Sequence, residues 1–150
     1  MRRDVMTPEQ RRRAMQSNRG RTGPERKVAS ALWRMGHRYL TCEGYRHRHG
    51  RPLVGNPDLV FPGPRVVIFV DGCFWHGCGK CHDFKKDCNS WWQEKIFGNR
   101  MRDNRRRRRL RKLGWHVWRV WEHDLRQSVK FEKTIARLSK MLRALMGEDW

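Results

Sequence analysis

The chain has 150 residues, with 35 Lys and Arg against 15 Asp and Glu, a net charge of +20. That length suits one domain with one core, and 37% hydrophobic residues with eight Trp is too apolar and too aromatic for a disordered basic tail. No apolar run approaches membrane-spanning length. So large an uncompensated charge calls for a polyanionic partner, nucleic acid first, because no basic amphipathic membrane helix stands out.

The opening MRRDVMTPEQRRR is basic with no apolar stretch behind it, so it does not read as a secretory signal. Residues 1–23 read as a basic arm, a short helix followed by a loop from Ser17 to Gly23, able to wrap around DNA or simply to fray. Residues 24–150 then form the folded domain. Thr22 and Pro24 open an amphipathic helix with Val28, Leu32 and Met35 at helical spacing and Gly36 as its stop. Glu25 falls on the apolar stripe of that helix. It reads either as a first-turn acid favoured by the helix dipole or as something else.

Residues 41–57 are polar and read as a loop. Pro57-Asp58-Leu59-Val60-Phe61, a Pro-Gly-Pro turn at 62–64 and the run Arg65-Val66-Val67-Ile68-Phe69-Val70 read as an antiparallel hairpin with a buried second strand ending at Asp71-Gly72. Residues 73–90, rich in Cys, Lys and His, read as irregular and held by metal. A long arginine-dense helix is predicted from about Asn89 to Leu113, closed by Gly114. A strand follows over Trp115–Trp121, and a last helix from Phe131 to about Met146 repeats Phe131, Ile135, Leu138, Leu142 and Leu145. The order predicts a mixed α/β single domain. Trp33, Trp118 and Trp121 are expected in its core.

In so basic a chain the few acids are informative. A hairpin centred on Gly63-Pro64 sets Asp58 across from about position 69 to 71, so Asp58 and Asp71 can share one end and face of the sheet. Two converging carboxylates would hold Mg²⁺ for phosphodiester hydrolysis; alternatively both are ordinary turn residues. His76, five residues beyond Asp71, can take a proton from an attacking water, or can ligate metal. Of the five cysteines, Cys42 reads as a buried thiol. The other four fall between Cys73 and Cys88, which favours metal in a reducing compartment over a disulfide framework. Cys73, Cys78 and Cys81-His82 are a zinc signal whose fourth ligand is His82, Cys88 or, best, distant His123. Phe74-Trp75 and Trp91-Trp92 are large aromatics in cationic surroundings, suited either to core packing or to wedging between bases. The run Arg105–Arg109 reads as a solvated or phosphate-facing helix side.

Asn56-Pro57-Asp58-Leu59-Val60-Phe61, Val67–Cys78 with Asp71-Gly72-Cys73-Phe74-Trp75-His76 at its centre, Trp91-Trp92-x-x-Lys95-Ile96-x-x-Asn99-x-x-Arg102-Asp103, and Gly114-Trp115-x-Val117-x-x-Val120-Trp121-Glu122 together resemble the very-short-patch repair endonucleases. The resemblance runs from about Met6 to Leu125. It implies a restriction-endonuclease-like fold and nicking of DNA 5′ to the thymine of a T:G mismatch, the product of 5-methylcytosine deamination. By resemblance, Asp58 would be the main Mg²⁺ ligand, Asp71 would stand at a second metal position, His76 would be the general base and Glu25 would orient water. Phe74, Trp75 and Trp92 would form the wedge, and Lys95, Asn99 and Arg102 would lie along the DNA-facing side of the long helix. Zinc would be structural, on Cys73, Cys78, Cys81 and His123.

Two positions depart from the family pattern: some members have His in place of Asp71, and Cys often stands where this chain has His123. A monomer acting in the bacterial cytoplasm at the nucleoid is expected, with mismatch-repair proteins as candidate partners. A zinc-stabilised DNA-binding protein without catalysis, or a restriction-like nuclease with another target, is the alternative.

Overall fold

A computed structural model describes residues 7–16 and 22–147. Its elements in order are α1 (Pro8–Gln16), α2 (Gly23–Arg34), α3 (Cys42–His49), β1 (Leu59–Phe61), β2 (Val66–Asp71), α4 (Phe84–Asp87), α5 (Ser90–Lys112), β3 (His116–Trp121), a 3-10 turn (Glu122–Leu125) and α6 (Ser128–Met146). Of the expected basic arm, Pro8–Gln16 is helical as anticipated. Residues 1–6 and 17–21, including most of its predicted loop, lie outside the described residues.

The sheet order is β1-β2-β3. β1 and β2 pair antiparallel with Leu59 opposite Ile68, Val60 opposite Val67 and Phe61 opposite Val66, which is the register expected for a turn at Pro62–Pro64. Parallel strands cannot be joined by a tight turn, so the chain crosses over through α5 before β3 pairs with β2, Val66 opposite His116 and Asp71 opposite Trp121. Leu40 adds a two-way backbone bridge to Val60 on the outer edge of β1.

β2 is central, which explains its uninterrupted apolar run: both of its faces are covered. Val66, Ile68 and Val70 pack with Val28 and Leu32 of α2 and with Ile135, Leu138 and Leu142 of α6. Val67 packs on the other face with Tyr45, Leu110 and Trp115, and Phe69 joins that cluster. Helices therefore flank a mixed sheet on both sides, and each fully buried Leu, Ile or Val side chain stabilises the fold by about 1.5–3 kcal/mol. Behind α2, the buried His37 ring hydrogen-bonds Ser139 Oγ of α6 at 2.7 Å.

Several elements differ from expectation. Residues 42–49, read as loop, are helix α3: Thr41 Oγ1 accepts from Gly44 N at 3.0 Å and Gly50 closes the helix at φ 72°. Only Cys42 and Tyr45 of it are buried, so no apolar period announced it. The 73–90 segment is irregular as expected apart from the one-turn α4. Trp33 is not core; it is 46% exposed, with the Arg38 guanidinium 4.0 Å over its ring and Tyr39 edge-on to it. Met35, Leu113 and Leu145 sit at helix ends where the apolar stripe runs into solvent. Trp118 and Trp121 are half-buried.

Candidate active site and metal centre

Two consecutive left-handed residues, Gly55 at φ 83° and Asn56 at φ 55°, deliver Pro57 and Asp58 to the head of β1. Asp58 donates its backbone N–H to Ile68 O at 3.0 Å and accepts on Oδ2 from Val70 N at 2.7 Å. The antiparallel register thus brings Asp58 beside the end of β2, where Asp71 stands. A cavity of about 150 Å³ opens there, lined by Glu25 of α2, Asn56, Asp58, Asp71, His76 and, from α5, Asp103, Arg106 and Arg107. The half-buried Glu25 does occupy the first turn of α2, yet it faces this cavity, so its place on the apolar stripe reflects the site rather than the helix end.

Charge in the cavity is unevenly matched. Burial, and next the charges of Glu25 and Asp71, push the Asp58 carboxyl up to about 7. Asp71 is more deeply buried, at 3% exposure, but has cationic partners: its Oδ2 accepts from Arg119 Nε of β3, with Arg107 Nη1 at 3.6 Å. Its Oδ1 lies 3.7 Å from His76 Nε2. His76 is not drawn into the thiol cluster. Its Nδ1 bonds Asp103 Oδ2 at 2.7 Å, and Asn99 ties the adjacent Trp75 carbonyl at 3.0 Å. Burial works against the imidazolium, but the Asp103 bond and the charges of Asp71 and Asp103 outweigh it and raise the His76 pKa. Behind it, Gly77 at φ 70° is obligatory, since a Cβ there would meet Arg100 Cδ at 2.5 Å and Ile96 Cγ2 at 2.9 Å.

Glu25, Asp58, Asp71 and His76 are therefore brought together. Asp103, Arg107 and Arg119 were not anticipated as parts of the site. The available signal for Asp103 was an acid isolated within an arginine-dense helix; for Arg119, only the pairing of its strand with β2 reveals a role.

Beside the cavity, Cys73, Cys78, Cys81 and His123 gather with their ligand atoms all within 4.8 Å of one another, the sole such group of three or more among the described residues. His123 Nδ1 lies 3.4 Å from Cys73 Sγ, 3.5 Å from Cys78 Sγ and 3.4 Å from Cys81 Sγ. These distances match the edge of a tetrahedral site, roughly 3.5 Å for metal–sulfur bonds of about 2.3 Å and metal–nitrogen bonds of about 2.0 Å. The other ring nitrogen, Nε2, faces Asp124 Oδ1 at 3.4 Å, a carboxylate placed to orient the imidazole. Burial pushes the Cys73 thiol up to about 12, with Cys81 and Cys78 adding to it, whereas Cys78 is lowered against its own burial by hydrogen bonds from the Cys81 and Lys80 backbone and from the neighbouring thiols. His82 instead packs against Phe74 and Phe84.

The aromatics form one cluster beside the site, of which Trp75 lines an adjoining cavity together with Glu25 and His76. Phe74, Trp75 and Trp92 meet edge to face at 5.1–5.6 Å. Phe74 and Trp75 are half-buried, whereas Trp92 is only 3% exposed and forms the base of the cluster. Trp91 stacks its edge on Trp92 and carries Arg11 of α1 over its ring at 4.9 Å, which ties α1 to the start of α5. Lys95, Asn99 and Arg102 follow on one side of α5 at i, i+4, i+7.

The family model described as DNA mismatch endonuclease Vsr matches residues 3–86, more than half of the chain. The chain belongs to the Vsr family. Type II nicking enzyme V.XorIIP of Xanthomonas oryzae pv. oryzae is 41% identical over 124 residues, which is 81% of this chain and 86% of that protein. Type II nicking enzyme V.HpaIIP of Haemophilus parainfluenzae is 37% identical over 142 residues, 89% of this chain and 94% of that protein. DNA mismatch endonuclease Vsr of Escherichia coli is 41% identical over 108 residues, 70% of this chain and 64% of that protein. Vsr proteins are DNA endonucleases of restriction-endonuclease-like fold, and the mixed three-stranded sheet flanked by helices agrees with that class.

Proposed function

We propose that this chain is a Mg²⁺-dependent nicking endonuclease that cuts one strand of duplex DNA 5′ to the thymine of a T:G mismatch and so starts very-short-patch repair. The observation that carries the reading is the meeting of Asp58, short of positive charge, with a His76 already held by Asp103, in one small cavity on a strongly basic chain. The donor set suits a hard cation: Glu25, Asp58 and Asp71 are carboxylates, and a carboxyl pushed up to about 7 marks a place where positive charge is wanted. Asp58 and Asp71 would hold the ion. Bound Mg²⁺ supplies Lewis acidity at the scissile phosphate and at the leaving oxygen.

The chain's own residues do the rest. Asp103 accepts the Nδ1 proton of His76 and leaves Nε2, on the cavity side, to take a proton from the attacking water. Glu25 orients that water from the opposite wall. Arg119 and Arg107 hold Asp71 in place and add positive charge near the phosphate. Phe74 and Trp75, supported by Trp92, enter the base stack, and Lys95, Asn99 and Arg102 track the backbone. Unstacking costs less where pairing is already weak, which favours the mismatch over an intact pair. One asymmetric site suits a monomer acting on a lesion without dyad symmetry. Cys73, Cys78, Cys81 and His123 would hold a structural Zn²⁺, which would fasten the 73–81 segment to the 3-10 turn after β3. No helix among the described residues is long and apolar enough to cross a membrane. The reading places the enzyme with bacterial DNA in the cytoplasm, beside mismatch-repair proteins.

Strand-labelled duplexes carrying T:G or C:G, incubated with Mg²⁺ or with EDTA, test it. A Mg²⁺-dependent nick in the T strand of T:G alone is expected. Equal nicking of both duplexes would refute the mismatch specificity. Binding without any metal-dependent nick would instead indicate a DNA-binding module.

A further inference from the structure

Outside the active-site cavity, one charged surface shaped to take a ligand is the seam between α2, the 3-10 turn and the start of α6. A cavity of about 460 Å³ opens there, walled by Arg26, Lys27, Ser30 and Arg34 of α2 and by Arg126. The spacing is informative. Arg26, Ser30 and Arg34 recur every four residues and so share one helix face, with Lys27 at its edge, opposite the buried Val28 and Leu32. All four cations are exposed. Arg26, Lys27 and Arg34 have no acidic partner among the described residues, and Arg126 has only Glu122 at 3.7 Å. A surface whose charges served only solubility would more often carry acids interleaved with them.

Its position connects it to the chemistry. Glu25, one residue before Arg26, lines the active-site cavity. A second, open cavity containing Glu25, His76 and Glu122 continues from that site toward the 3-10 turn that carries Arg126. Thus α5 walls one side of the active site with Arg106 and Arg107. The seam joins the other side through Glu122, which lines the second cavity and lies 3.7 Å from Arg126, the basic face of α2 itself being turned away from Glu25. Arg26 to Arg34 spans about 12 Å of helix, enough to face roughly three phosphates of one strand at one per 3.4 Å of duplex axis.

We infer that the α2–α6 seam is a second phosphate-backbone docking site, which grips the duplex flanking the cut through Arg26, Lys27, Arg34 and Arg126. This rests on the DNA-endonuclease reading. The site adds affinity and registers the duplex over the cavity, while base discrimination stays with the aromatic cluster.

The test compares two triple variants in the full chain, both removing three positive charges: Arg26→Gln/Lys27→Gln/Arg34→Gln, and Lys133→Gln/Arg137→Gln/Lys140→Gln on the outward face of α6. Equilibrium binding to a short duplex with one central T:G pair is measured across a series of salt concentrations, with thermal midpoints checking that each variant is folded. The α2 triple should lower the slope of log K against log salt by about 2–3 and weaken binding at least about tenfold at physiological salt. The α6 triple should leave the slope within about half a unit of the parent. Equal effects of the two triples, or no effect of either, would overturn the docking site, because only the overall field would then matter. If the parent itself binds no duplex, the endonuclease reading fails instead, so the two failures are distinguishable.

Discussion

Two acids of one cavity are predicted to affect stability with opposite signs. The Asp58 carboxyl is raised by burial and by the neighbouring Glu25 and Asp71, so its folded value of about 7 lies well above its unfolded one. A carboxyl shifted upward favours the folded state at low pH, and that advantage is lost as pH rises through about 7. Asp58→Asn keeps an acceptor for Val70 N but removes the charge. Metal-free, the variant should melt higher than the parent at about pH 8, with the gap narrowing as pH falls below about 7 and closing only near the ordinary carboxylate range, while nicking is abolished. Asp71 differs because it is the counter-ion of Arg119 and Arg107; Asp71→Ala leaves two guanidiniums without it and should destabilise by about 3 kcal/mol. Denaturation curves of both variants decide the matter, and a destabilised Asp58→Asn at the higher pH would contradict the charge deficit proposed here.

His76 supplies the kinetic counterpart. As the proposed general base, His76 would work deprotonated, so activity would fall as pH drops through its pKa, which is raised mainly by Asp103 against the effect of burial. The acid limb of the pH–rate profile should lie above that of an ordinary histidine. Asp103→Asn should move it downward, with roughly a 10–100-fold loss of rate as the ring loses its orientation. An unmoved limb would assign the limb to another group. At this scale the meeting of Asp58 and Asp71 was legible because acids are rare in this chain and the hairpin register follows from a turn. His76 followed from its place five residues beyond Asp71, and Glu25 came to the site only through the family resemblance. Arg119 was not: its role depends on the parallel pairing of β3 with β2, a contact 48 residues apart in sequence.

Among the elements, the 73–89 segment stands outside the main core and packs through the rings of Phe74, Trp75, His82 and Phe84, with Phe74 and Trp75 meeting Trp92. It contributes buried Cys73 and Cys78, with neither residue part of the main core clusters, and its backbone is mostly turns. The proposed zinc would supplement that packing, Cys73, Cys78 and Cys81 joining the segment to His123 beyond β3. One zinc per chain is expected by metal analysis. His123→Ala should lose that metal and expose 73–89 to hydrogen exchange while β2 and β3 keep their protection, since the sheet core does not depend on the cluster. Uniform loss of protection would show instead that the metal supports the whole fold. The strands and the long helices were readable in advance because each buries a periodic or continuous apolar face. Helix α3 was hidden because its caps, Thr41 and Gly50, are local signals with hardly any apolar stripe between them. The residue types of the group that could hold a metal were readable, but only the fold brings His123 within 3.5 Å of three thiols.

For the whole molecule, the +20 charge acts with opposite signs on the free and bound protein. Free, most of the 35 cations are solvent-facing and outnumber the 15 acids, so they repel one another over the roughly 10 Å screening length of moderate salt. Added salt should therefore raise the melting temperature of the protein alone. Bound to duplex, the same cations displace counterions from phosphate, and added salt weakens that binding. DNA stabilises the fold by RT ln(1 + [DNA]/Kd), so its contribution shrinks as Kd rises. Melting curves recorded with and without a T:G duplex, at fixed DNA concentration and increasing salt, should start far apart and converge from both sides. Parallel rises of the two curves would mean that the bound duplex releases few counterions and that the positive surface is largely solubilising. Convergence driven by a falling bound curve would establish instead that the self-repulsion carried by the free chain is relieved at the phosphate backbone.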